Sequence, residues 1–563
     1  MRIIETDILI IGSGAAGLTA SVYAGLSGLD VLVIDKGAVG KSGSTVGAVQ
    51  IAASGRWSSE KDTQESYTND ILLSGKGLSK LPMVQALVHD IEKIIADVVE
   101  WGLRLDKDSA GNLVVSSTSG HRAPRSISAN KGNSGRAIIQ TLSRKAKTLS
   151  NIKLISDVIT IELVCFENQV HGALAYDLAK AELLLILSKS VILATGGAGQ
   201  LYPVTSNPVQ ATGDGFSLAL KAGAALIDME QIQFYPVSLI FPEALKGFCM
   251  SFYPMAKLYN SFNERFMHRY EPEKLEDVTR DRLAYAVACE VRQGKGSSHN
   301  GVWLDGTAAS EEIKQLFPHE YKLCLEHGVD LAKDRAEIAP AAHFIMGGVD
   351  VDEDGASSVE GLYIAGETAG GLHGGNRLGN NALSECLVFG ARAGKAAAHY
   401  EKTALRLSNS RLAHMIDRGQ GFVKKITTLS GQHRPYQVKD RLRHIMGEYV
   451  GVLRNRTELK TAQAELEAVV QQLADVTVKG WGKPFAREVT DYIEAEHMIW
   501  TAKGIIGSSL LRRESRGAHF LSDYPDLLPT VEHTTVRFNK GELCFSTRLA
   551  ANKRLVAYAK NKN

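Results

Sequence analysis

The sequence predicts an α/β fold: a parallel sheet covered by helices, interrupted by an inserted domain and followed by a helical domain. Three observations predict this class. Short apolar runs typical of buried parallel strands recur at Thr6–Ile11, Val31–Ile34, Ser190–Ala194 and Gly361–Ala365. Residues 228–340 are instead irregular in pattern and rich in aromatic side chains. After residue 405 the pattern becomes mostly helical.

The composition is that of an ordinary globular protein. Of 563 residues, 44% are hydrophobic and 22% are charged, which excludes wholesale disorder. The net charge of +2 gives no global field that would attract nucleic acid. Residues 401–563 nevertheless hold 27 Lys and Arg against 17 Asp and Glu, a net +10, which leaves −8 for residues 1–400. This basic region either docks an acidic partner or complements the acidic part of the same chain, and the second interpretation is the default.

The cysteines and the apolar runs bear on metal sites and on location. The six cysteines form no Cys-x-x-Cys pair, so neither a zinc site nor an iron–sulfur cluster is predicted in this chain, and no metal site is expected. A small dispersed set of cysteines is typical of a reducing compartment. No apolar run reaches the length of a membrane-spanning helix, about 18 residues. Glu5 and Asp7 interrupt the apolar N-terminus, which therefore indicates a strand rather than a secretion signal. We expect a cytoplasmic protein without a membrane span of its own.

The N-terminal elements form a βαβ unit with a glycine motif. Gly12-x-Gly14-x-x-Gly17 follows the first strand and opens a helix that runs to about Ser27, and Asp35 ends the second strand. Gly12 allows the tight turn, Gly14 lets a pyrophosphate approach the backbone, and Gly17 lets helix and strand pack closely. The helix N-terminus faces the phosphates, and Asp35 is predicted to accept hydrogen bonds from the adenosine ribose. A Gly-x-Gly-x-x-Gly motif alone is weak evidence, but this context argues against a ligand-free turn.

Two later glycine-rich strand ends decide between nicotinamide and flavin cofactors. They are Ala194-Thr-Gly-Gly197 and Ala365-Gly366-Glu367. A nicotinamide domain needs no such pair, whereas a fold that wraps FAD from several segments does. The sequence therefore predicts a Rossmann-like domain that binds FAD.

The remaining elements follow from periodicity and composition. Helices are predicted at 80–105 and 134–150, a strand-rich stretch at 152–177, and a further helix from about Asn381. Residues 37–55 are crowded with glycine and serine and predict a loop.

The C-terminal part is predicted to be mostly helical. One amphipathic helix is indicated by apolar residues at i, i+3, i+4 and i+7, namely Leu466, Val469, Val470 and Leu473. A short strand pair is predicted near Thr535–Arg548, with its turn at Asn539-Lys-Gly541. The predicted domains are an FAD-binding domain at 1–227 and 341–405, a capping domain at 228–340 and a C-terminal helical domain at 406–563.

A series of short motifs spans nearly the whole chain. In order, they are Ser42–Ala48, Thr205-Ser-Asn-Pro208, Thr212-Gly-Asp-Gly215, Asn263-Glu-Arg-Phe-Met267, Thr279-Arg-Asp281, His343-x-x-Met-Gly-Gly348, Leu362–Gly366, His373-Gly-Gly-Asn-Arg-Leu-Gly379, Arg513–His519 and Asp523-Tyr-Pro525. This series resembles the flavoprotein subunits of fumarate reductase and succinate dehydrogenase, with L-aspartate oxidase as a close relative. The resemblance implies a glutathione-reductase-type FAD-binding domain with an inserted capping domain and a C-terminal helical domain.

The resemblance also implies roles for individual residues. Arg280 matches the arginine that passes a proton to a substrate carbon. His343 matches a histidine that holds a substrate carboxylate, and Arg377 matches the arginine that clamps a carboxylate near the flavin. Glu367 matches an acid that contacts FAD hydroxyls. Arginine suits the clamp because its guanidinium binds carboxylate bidentately.

The glycine motifs and the resemblance together predict a set of cofactor-binding residues drawn from several segments of the chain. These are Gly12, Gly14, Ala15, Ala16, Gly17, Asp35, Lys36, Ser42, Gly43, Ser44, Thr45, Val158, Ala194, Thr195, Gly196, Asp214, Glu367, His373, Arg377, Asn381, Ala382 and Leu383. The catalytic set is Arg280, His343, Arg377 and Tyr235.

Two single-residue departures from the family pattern have chemical consequences. Ser44 stands where the family's membrane-complex members carry the histidine that attaches FAD covalently, so noncovalent FAD is expected. Tyr235 replaces the histidine of the family's Gln-Phe-His-Pro motif. A phenol can donate a hydrogen bond but carries no positive charge at neutral pH.

A third departure concerns the family's Thr-Glu-Gly-x-Arg-Gly-Glu-Gly motif, which is absent. In an ungapped register, Gly247 and Phe248 replace its threonine and glutamate, and the proton relay loses its acid. With compensating gaps, Glu243–Gly247 resembles the motif and Lys246 replaces its arginine. The equal chain length from Tyr235 to Arg265 favours the ungapped register, and the aromatic residues nearby point to a larger or less polar substrate.

Taken together, these features predict an FAD-dependent oxidoreductase that forms or saturates a carbon–carbon bond next to a carboxylate. Fumarate reduction or succinate oxidation is the leading hypothesis, with electrons exchanged with an iron–sulfur partner protein that could also bring this chain to a membrane. The alternatives are an L-aspartate oxidase-like reaction, or an electron-transfer flavoprotein with a different, larger substrate.

Overall fold

The computed structural model describes residues 1–401 and 408–550. Its centre is a five-stranded, all-parallel sheet, with strands in the spatial order Leu362–Ile364, Ser190–Leu193, Ile8–Ile11, Val31–Ile34 and Ile152–Ile155. The first four of these strands are buried along their whole length, as expected where helices cover both faces of a parallel sheet. The four predicted apolar strands are therefore confirmed and lie next to one another.

Helices cover this sheet and connect its strands. The helix Ala15–Gly25 follows the strand Ile8–Ile11 and packs against the helix Asn381–Glu401. The helices Leu81–Glu100 and Ser134–Lys147 pack nearby. These four helices match the predicted ones to within a few residues. The helix Gln64–Ser74, capped by the Thr63 side chain, was not predicted.

Smaller sheets extend the domain. A four-stranded sheet contains the strands Arg2–Glu5, Glu182–Leu187, Gln169–Asp177 and Val158–Phe166. A three-stranded sheet contains Gln50–Ala52, Ser126–Ser128 and Val115–Ser116. The prediction that 37–55 is entirely loop was thus wrong at Gln50–Ala52, where pairing with a distant strand outweighs local glycine content.

The region predicted to cap the site has its own sheet and apolar core. Its four antiparallel strands are, in spatial order, Ile232–Phe241, Ala336–Ile345, Val302–Asp305 and Lys257–Tyr259. Its helices are Met267–Tyr270, Arg280–Glu290, Ser310–Leu316 and Pro318–Glu326. The long strand Ala336–Ile345 runs across the predicted boundary at residue 340.

The C-terminal part combines helices with a strand pair. Its helices are Asn409–Thr428, Pro435–Tyr449, Arg456–Ala474 and Arg487–Leu511, and a short parallel pair joins Leu453–Arg454 to Phe520–Leu521. The predicted strand pair is confirmed as Glu532–Asn539 and Glu542–Leu549. It completes a sheet with Leu226–Ile227, Gly348–Asp350 and Ala369–Gly370, so this part is not helical alone. The three predicted domain boundaries stay predictions.

One further helix, Asp214–Lys221, begins at the glycine-rich segment of the central domain and packs against Arg487–Leu511. Within residues 1–401 and 408–550, no helix combines the length and apolarity that crossing a bilayer requires. The same residues contain no group of three or more His, Cys, Asp and Glu placed to hold a metal ion.

Candidate active site

A large cavity runs from the carboxyl ends of the central strands to the capping strands, with a volume of about 1580 Å³. Most of the predicted site residues line it. They are Gly12, Gly14, Ala15, Ala16, Asp35, Lys36, Ser42, Gly43, Ser44, Thr45, Val158, Ala194, Thr195, Gly196, Asp214, Tyr235, Arg280, His343, Glu367, Arg377, Ala382 and Leu383. Gly17, His373 and Asn381 do not line it. The fold thus assembles residues that are hundreds of positions apart.

One end of the cavity is built around the glycine motif. Gly12 adopts a φ of 105°, and a Cβ there would lie 2.3 Å from the Ala194 carbonyl oxygen. A Cβ on Gly17 would lie 2.0 Å from the Gly12 carbonyl oxygen, so this glycine serves helix–strand packing rather than ligand contact. The N-cap residue of the helix Ala15–Gly25 is Gly14, which has no capping side chain, and of the first-turn amides that of Ala15 donates to the Thr45 hydroxyl at 3.1 Å. The other first-turn amides and the helix dipole favour an anion such as pyrophosphate.

Asp35 organises the loops beside this helix. Its carboxylate accepts hydrogen bonds from the Ser13 amide at 2.8 Å and the Ser13 hydroxyl at 2.6 Å. It also accepts from the Gly37 amide at 2.8 Å and the Ser42 hydroxyl at 3.0 Å. A carboxylate offers about four lone-pair sites, so the protein itself already occupies them. The predicted contact of Asp35 with a ribose stays a prediction.

Lys36 and Asp214 belong to a buried ion network that joins the central domain to the C-terminal helices. The Lys36 ammonium lies 2.8 Å from both the Asp214 and the Glu494 carboxylates. Glu494 also lies 2.6 Å from Lys439, which pairs with Asp491 at 2.7 Å. Despite burial, the positive charge of Lys36 lowers the pKa of the Asp214 carboxyl, and Lys36 and Lys439 lower the pKa of Glu494. Both carboxyls are therefore ionised at neutral pH.

Replacing Lys36 with methionine is expected to destabilise the protein by about 3–5 kcal/mol, because it leaves a buried carboxylate without its cation. In urea unfolding at pH 7, the variant should unfold at a lower midpoint concentration of urea than the wild type. The depressed pKa of Asp214 adds stability above pH 3.8, its ordinary value, and this stability is lost as pH falls further. The difference in unfolding free energy between the wild type and the variant should therefore become smaller below pH 3.8.

Lys93→Met provides the matched control for that experiment. Lys93 is 73% exposed and pairs with Asp97 at 3.0 Å on the surface of its helix. Its replacement should cost about 0.5 kcal/mol or less. Equal losses in the two variants would contradict a stabilising role for the buried network.

Several buried polar atoms behind the cavity wall lack partners. His373 lies 3.1 Å from Glu385, and Asn381 accepts a hydrogen bond from Tyr67 at 2.9 Å. Among the described residues, His373 Nδ1, Asn381 Nδ2 and Glu385 Oε1 have no hydrogen-bond partner. Because unpaired buried polar atoms are costly, they fit a polar ligand next to this wall. The predicted cofactor contacts of His373 and Asn381 stay predictions.

Glu367 lines the cavity close to this group. It accepts a hydrogen bond from the Ile345 amide at 3.0 Å. Burial, assisted by the nearby Glu385 charge, raises the pKa of the Glu367 carboxyl to about 8. The carboxyl can therefore hold a proton at neutral pH and donate it in a hydrogen bond.

Arg377 is a buried cation at the junction with the capping strands. Its guanidinium donates to Gln233 Oε1 at 2.8 Å and to the Leu378 carbonyl at 3.2 Å, and it lies 4.7 Å from the centre of the Phe344 ring. Its Nε atom has no hydrogen-bond partner among the described residues. Burial and the positive charge of Arg280 lower its pKa to about 9, so it remains charged at neutral pH.

Arg280, Tyr235 and His343 surround the space next to Arg377. Arg280 begins the helix Arg280–Glu290, and its guanidinium lies 4.8 Å from the Tyr235 ring centre. The Tyr235 and His343 rings lie 5.3 Å apart, and His343 Nδ1 lies 2.7 Å from the Ser206 hydroxyl. Burial and the two arginine charges lower the pKa of His343 well below its ordinary value, so the imidazole is neutral. No carboxylate of the described residues forms an ion pair with Arg280 or Arg377.

The structure bears on the two registers of the missing motif. The Glu243 side chain is 79% exposed and pairs with Lys246 at 3.2 Å on the surface. Neither residue lines the cavity, whereas Gly247 and Phe248 do. The ungapped register is therefore the one that agrees with the structure, and an aromatic side chain stands where an acid was expected from the family.

Sequence reasoning missed three residues of this site. The Gln233 side chain accepts from the Arg377 guanidinium and donates to the Arg377 carbonyl, each at 2.8 Å. Ser206 orients His343, and Glu320 enters the cavity from the helix Pro318–Glu326. Ser206 and Gln233 lie inside quoted motifs, which was the available signal. Glu320 lies in the irregular region, where no pattern indicated it.

The residues present fit FAD. The cavity is large enough to hold an extended dinucleotide, with a helix N-terminus that lacks a capping residue side chain and the Gly12 turn at one end. Gly12, Gly14 and the strand end at Ala194–Gly196 would hold the nucleotide portion. Glu367, Ala382 and Leu383 would lie against the flavin portion.

Comparisons with known proteins agree with an FAD-binding site in this cavity. The family model described as FAD binding domain matches residues 7–383, and the one described as Fumarate reductase flavoprotein C-term matches residues 439–555. One subunit of the fumarate reductase (CoM/CoB) of Methanothermobacter marburgensis is 34% identical over 97% of this chain and 99% of its own length. L-aspartate oxidase 1 of Ralstonia nicotianae is 31% identical over 94% of this chain and 98% of its own.

A solved structure shows the same architecture. Mycobacterium smegmatis Sdh1 in complex with UQ1 has a TM-score of 0.88 and 31% identity, covering 98% of this chain and 94% of the other. The fold and the site therefore define an FAD-dependent oxidoreductase. The chain belongs to the fumarate reductase and succinate dehydrogenase flavoprotein family, which confirms the resemblance, the fold class and the cofactor predicted above.

Proposed function

We propose that this protein reduces a carbon–carbon double bond next to a carboxylate, or forms that bond in the reverse direction. The observation that carries the proposal is the pair Arg377 and Arg280, which face one cavity without an ion pair from the described residues. Arg377 is buried without an ion pair, and the carboxyls of Glu367 and Glu385 act on it only from a greater distance, so a bound anion compensates its charge. A substrate carboxylate is an anion that matches the planar guanidinium.

Each side chain has a distinct task in this reaction. Arg377, held by Gln233, clamps the carboxylate, and neutral His343, held by Ser206, contributes a hydrogen bond. When bound, FAD would supply or accept the hydride at one carbon of the double bond. Arg280 delivers the proton to the carbon next to the carboxylate. Since arginine is a poor acid, the proton must leave in step with charge development and be resupplied from a neighbour.

We further propose that electrons are exchanged with an iron–sulfur partner protein. The Methanothermobacter relative is named as one subunit of its enzyme, and residues 401–563 of this chain have a net charge of +10 that suits an acidic partner. Any association with a membrane would then pass through that partner.

An L-aspartate oxidase-like reaction is the second candidate. The Ralstonia relative of that name aligns over 98% of its own length, which favours keeping this candidate. The two reactions differ in their electron acceptor. An oxidase should turn over with L-aspartate and oxygen and release hydrogen peroxide, whereas a reductase should need an unsaturated acid.

The test is an anaerobic flavin assay. Purified holoprotein is reduced with light or dithionite, freed of excess reductant, and mixed with unsaturated acids, and flavin reoxidation is followed by absorbance. Reoxidation by an unsaturated acid supports the proposal. Peroxide production from L-aspartate in air, without reoxidation by any unsaturated acid, would replace it with the oxidase candidate.

FAD is expected to be held without a covalent bond. Ser44 lines the cavity in place of the attaching histidine, and the histidines among the described lining residues, His319 and His343, lie at the substrate end. Acid precipitation should therefore leave the yellow flavin in the supernatant. Flavin that stays with the protein pellet after repeated washing would contradict this prediction.

A further inference from the structure

The two ends of the substrate space differ in charge. Arg377 and neutral His343 form the end that receives a carboxylate. The adjoining wall consists of Tyr235, Phe248 and Tyr253, which all line the cavity, and Tyr235 joins it to His343 with ring centroids 5.3 Å apart. The ring of Tyr253 meets that of Tyr235 edge to face, with centroids 6.2 Å apart. This wall therefore presents aromatic surfaces to a ligand.

The aromatic side chains and the thiol of this wall are uncharged. Burial raises the pKa of the Tyr235 and Tyr253 hydroxyls, so both remain neutral. Cys249 lies in the same wall, and burial raises its thiol pKa to about 11, which keeps it neutral too. Arg280 contacts this wall, but its guanidinium already lies against the Tyr235 ring and interacts with Tyr253, and it serves as the proton donor in the proposed reaction.

An acid lies on the same side of the cavity. Glu320 is half-buried, lines the cavity and accepts a hydrogen bond from the Ser251 amide at 2.9 Å. When ionised, it repels a second carboxylate. When protonated, it offers only a neutral hydrogen bond. In neither state does Glu320 supply a charge that attracts a second carboxylate.

The cavity also reaches the surface at this end. Its exposed lining residues there are Ser251, Pro254, Thr279, Leu316, Pro318 and His319. Phe248 lies against His319, with ring centroids 6.3 Å apart. A ligand held at Arg377 can therefore extend past the aromatic wall towards an uncharged, partly apolar opening.

We propose that the substrate is an unsaturated monocarboxylic acid whose far end is uncharged and apolar, with an aromatic group as the best fit. This inference rests on the function proposed above. The carbon β to the carboxylate gains a hydride and the α-carbon gains a proton from Arg280, so the double bond takes up two electrons and two protons. The electrons come from the iron–sulfur partner, or from dithionite in the assay.

The test compares three acids on the dithionite-reduced holoprotein: cinnamate (aromatic monocarboxylate), crotonate (small monocarboxylate) and fumarate (dicarboxylate). Cinnamate is expected to reoxidise the flavin at least about tenfold faster than fumarate, with crotonate between them. Fumarate as the fastest acid would overturn the inference and leave the proposed function intact. Failure of all three acids would overturn the proposed function itself.

Two variants test the aromatic wall separately. Tyr235→His introduces a group that can become cationic, and Glu320→Gln removes the acid. Each should raise the ratio of the fumarate rate to the cinnamate rate by about tenfold. Flavin content and absorbance verify that each variant folds and binds FAD. Ratios unchanged in both folded variants would show that this wall does not select the substrate and would overturn the inference.

Discussion

Arg280→Ala is expected to lower the rate of flavin reoxidation by the substrate acid by about 10²- to 10⁴-fold, the usual contribution of a positioned acid. The fall should occur in kcat, while KM changes little, because Arg377 still holds the carboxylate. Rapid mixing of reduced holoprotein with saturating acid measures the rate directly.

Arg282→Ala is the control on the same helix. Arg282 is 45% exposed and pairs with Glu271 at 2.8 Å, away from the cavity. Its removal should leave reoxidation unchanged. If Arg280→Ala also kept the wild-type rate, the proton would have to come from another group, and the assigned role of Arg280 would be wrong.

Arg377→Lys should raise KM strongly even though the charge is kept. Lysine cannot reproduce the two parallel contacts of a guanidinium with a carboxylate, and it also loses the donors to Gln233 and the Leu378 carbonyl. Disrupting a buried, hydrogen-bonded charge pair costs about 2–5 kcal/mol. That cost corresponds to a fall in kcat/KM of between about 30-fold and about 4000-fold.

Arg392→Lys is the matched control for this substitution. Arg392 lies on the helix Asn381–Glu401 and pairs with Asp90 and Asp354 at 2.5 and 3.0 Å. It does not line the cavity. An Arg377→Lys enzyme with unchanged kcat/KM beside this control would show that Arg377 does not bind the substrate carboxylate.

Much of the fold was predictable from the sequence because its central strands are short, mostly apolar runs that end at charged residues or at glycine-rich turns. Val31–Ile34 was predicted to the residue, and Ser190–Leu193 and Leu362–Ile364 to within one residue at each end. Local patterns failed where distant pairing decides the structure. The strand Gln50–Ala52 exists because Ser126–Ser128 pairs with it.

The residues of the site also fall into two groups, those that local motifs identified and those that only the structure identified. Motif residues such as Arg280, His343 and Arg377 were identified because each lies in a recognisable local string. Glu320 has no such string, and only the packing of the helix Pro318–Glu326 brings it to the cavity. The register of the missing motif was also decided by the structure. The two alignments are offset by only a few residues, and the sequence alone does not distinguish between them.

The sequence by itself determined the α/β class, the FAD-binding glycines, the family and the replacement of a histidine by Tyr235. These depend on residue type and short spacing, which a sequence states directly. Only the tertiary structure decided that Arg280 and Arg377 face one cavity without an ion pair from the described residues, that Glu243 is exposed, and that Phe248 and Glu320 line the same cavity. Charge and shape in a cavity arise from side chains far apart along the chain, and folding alone brings them together.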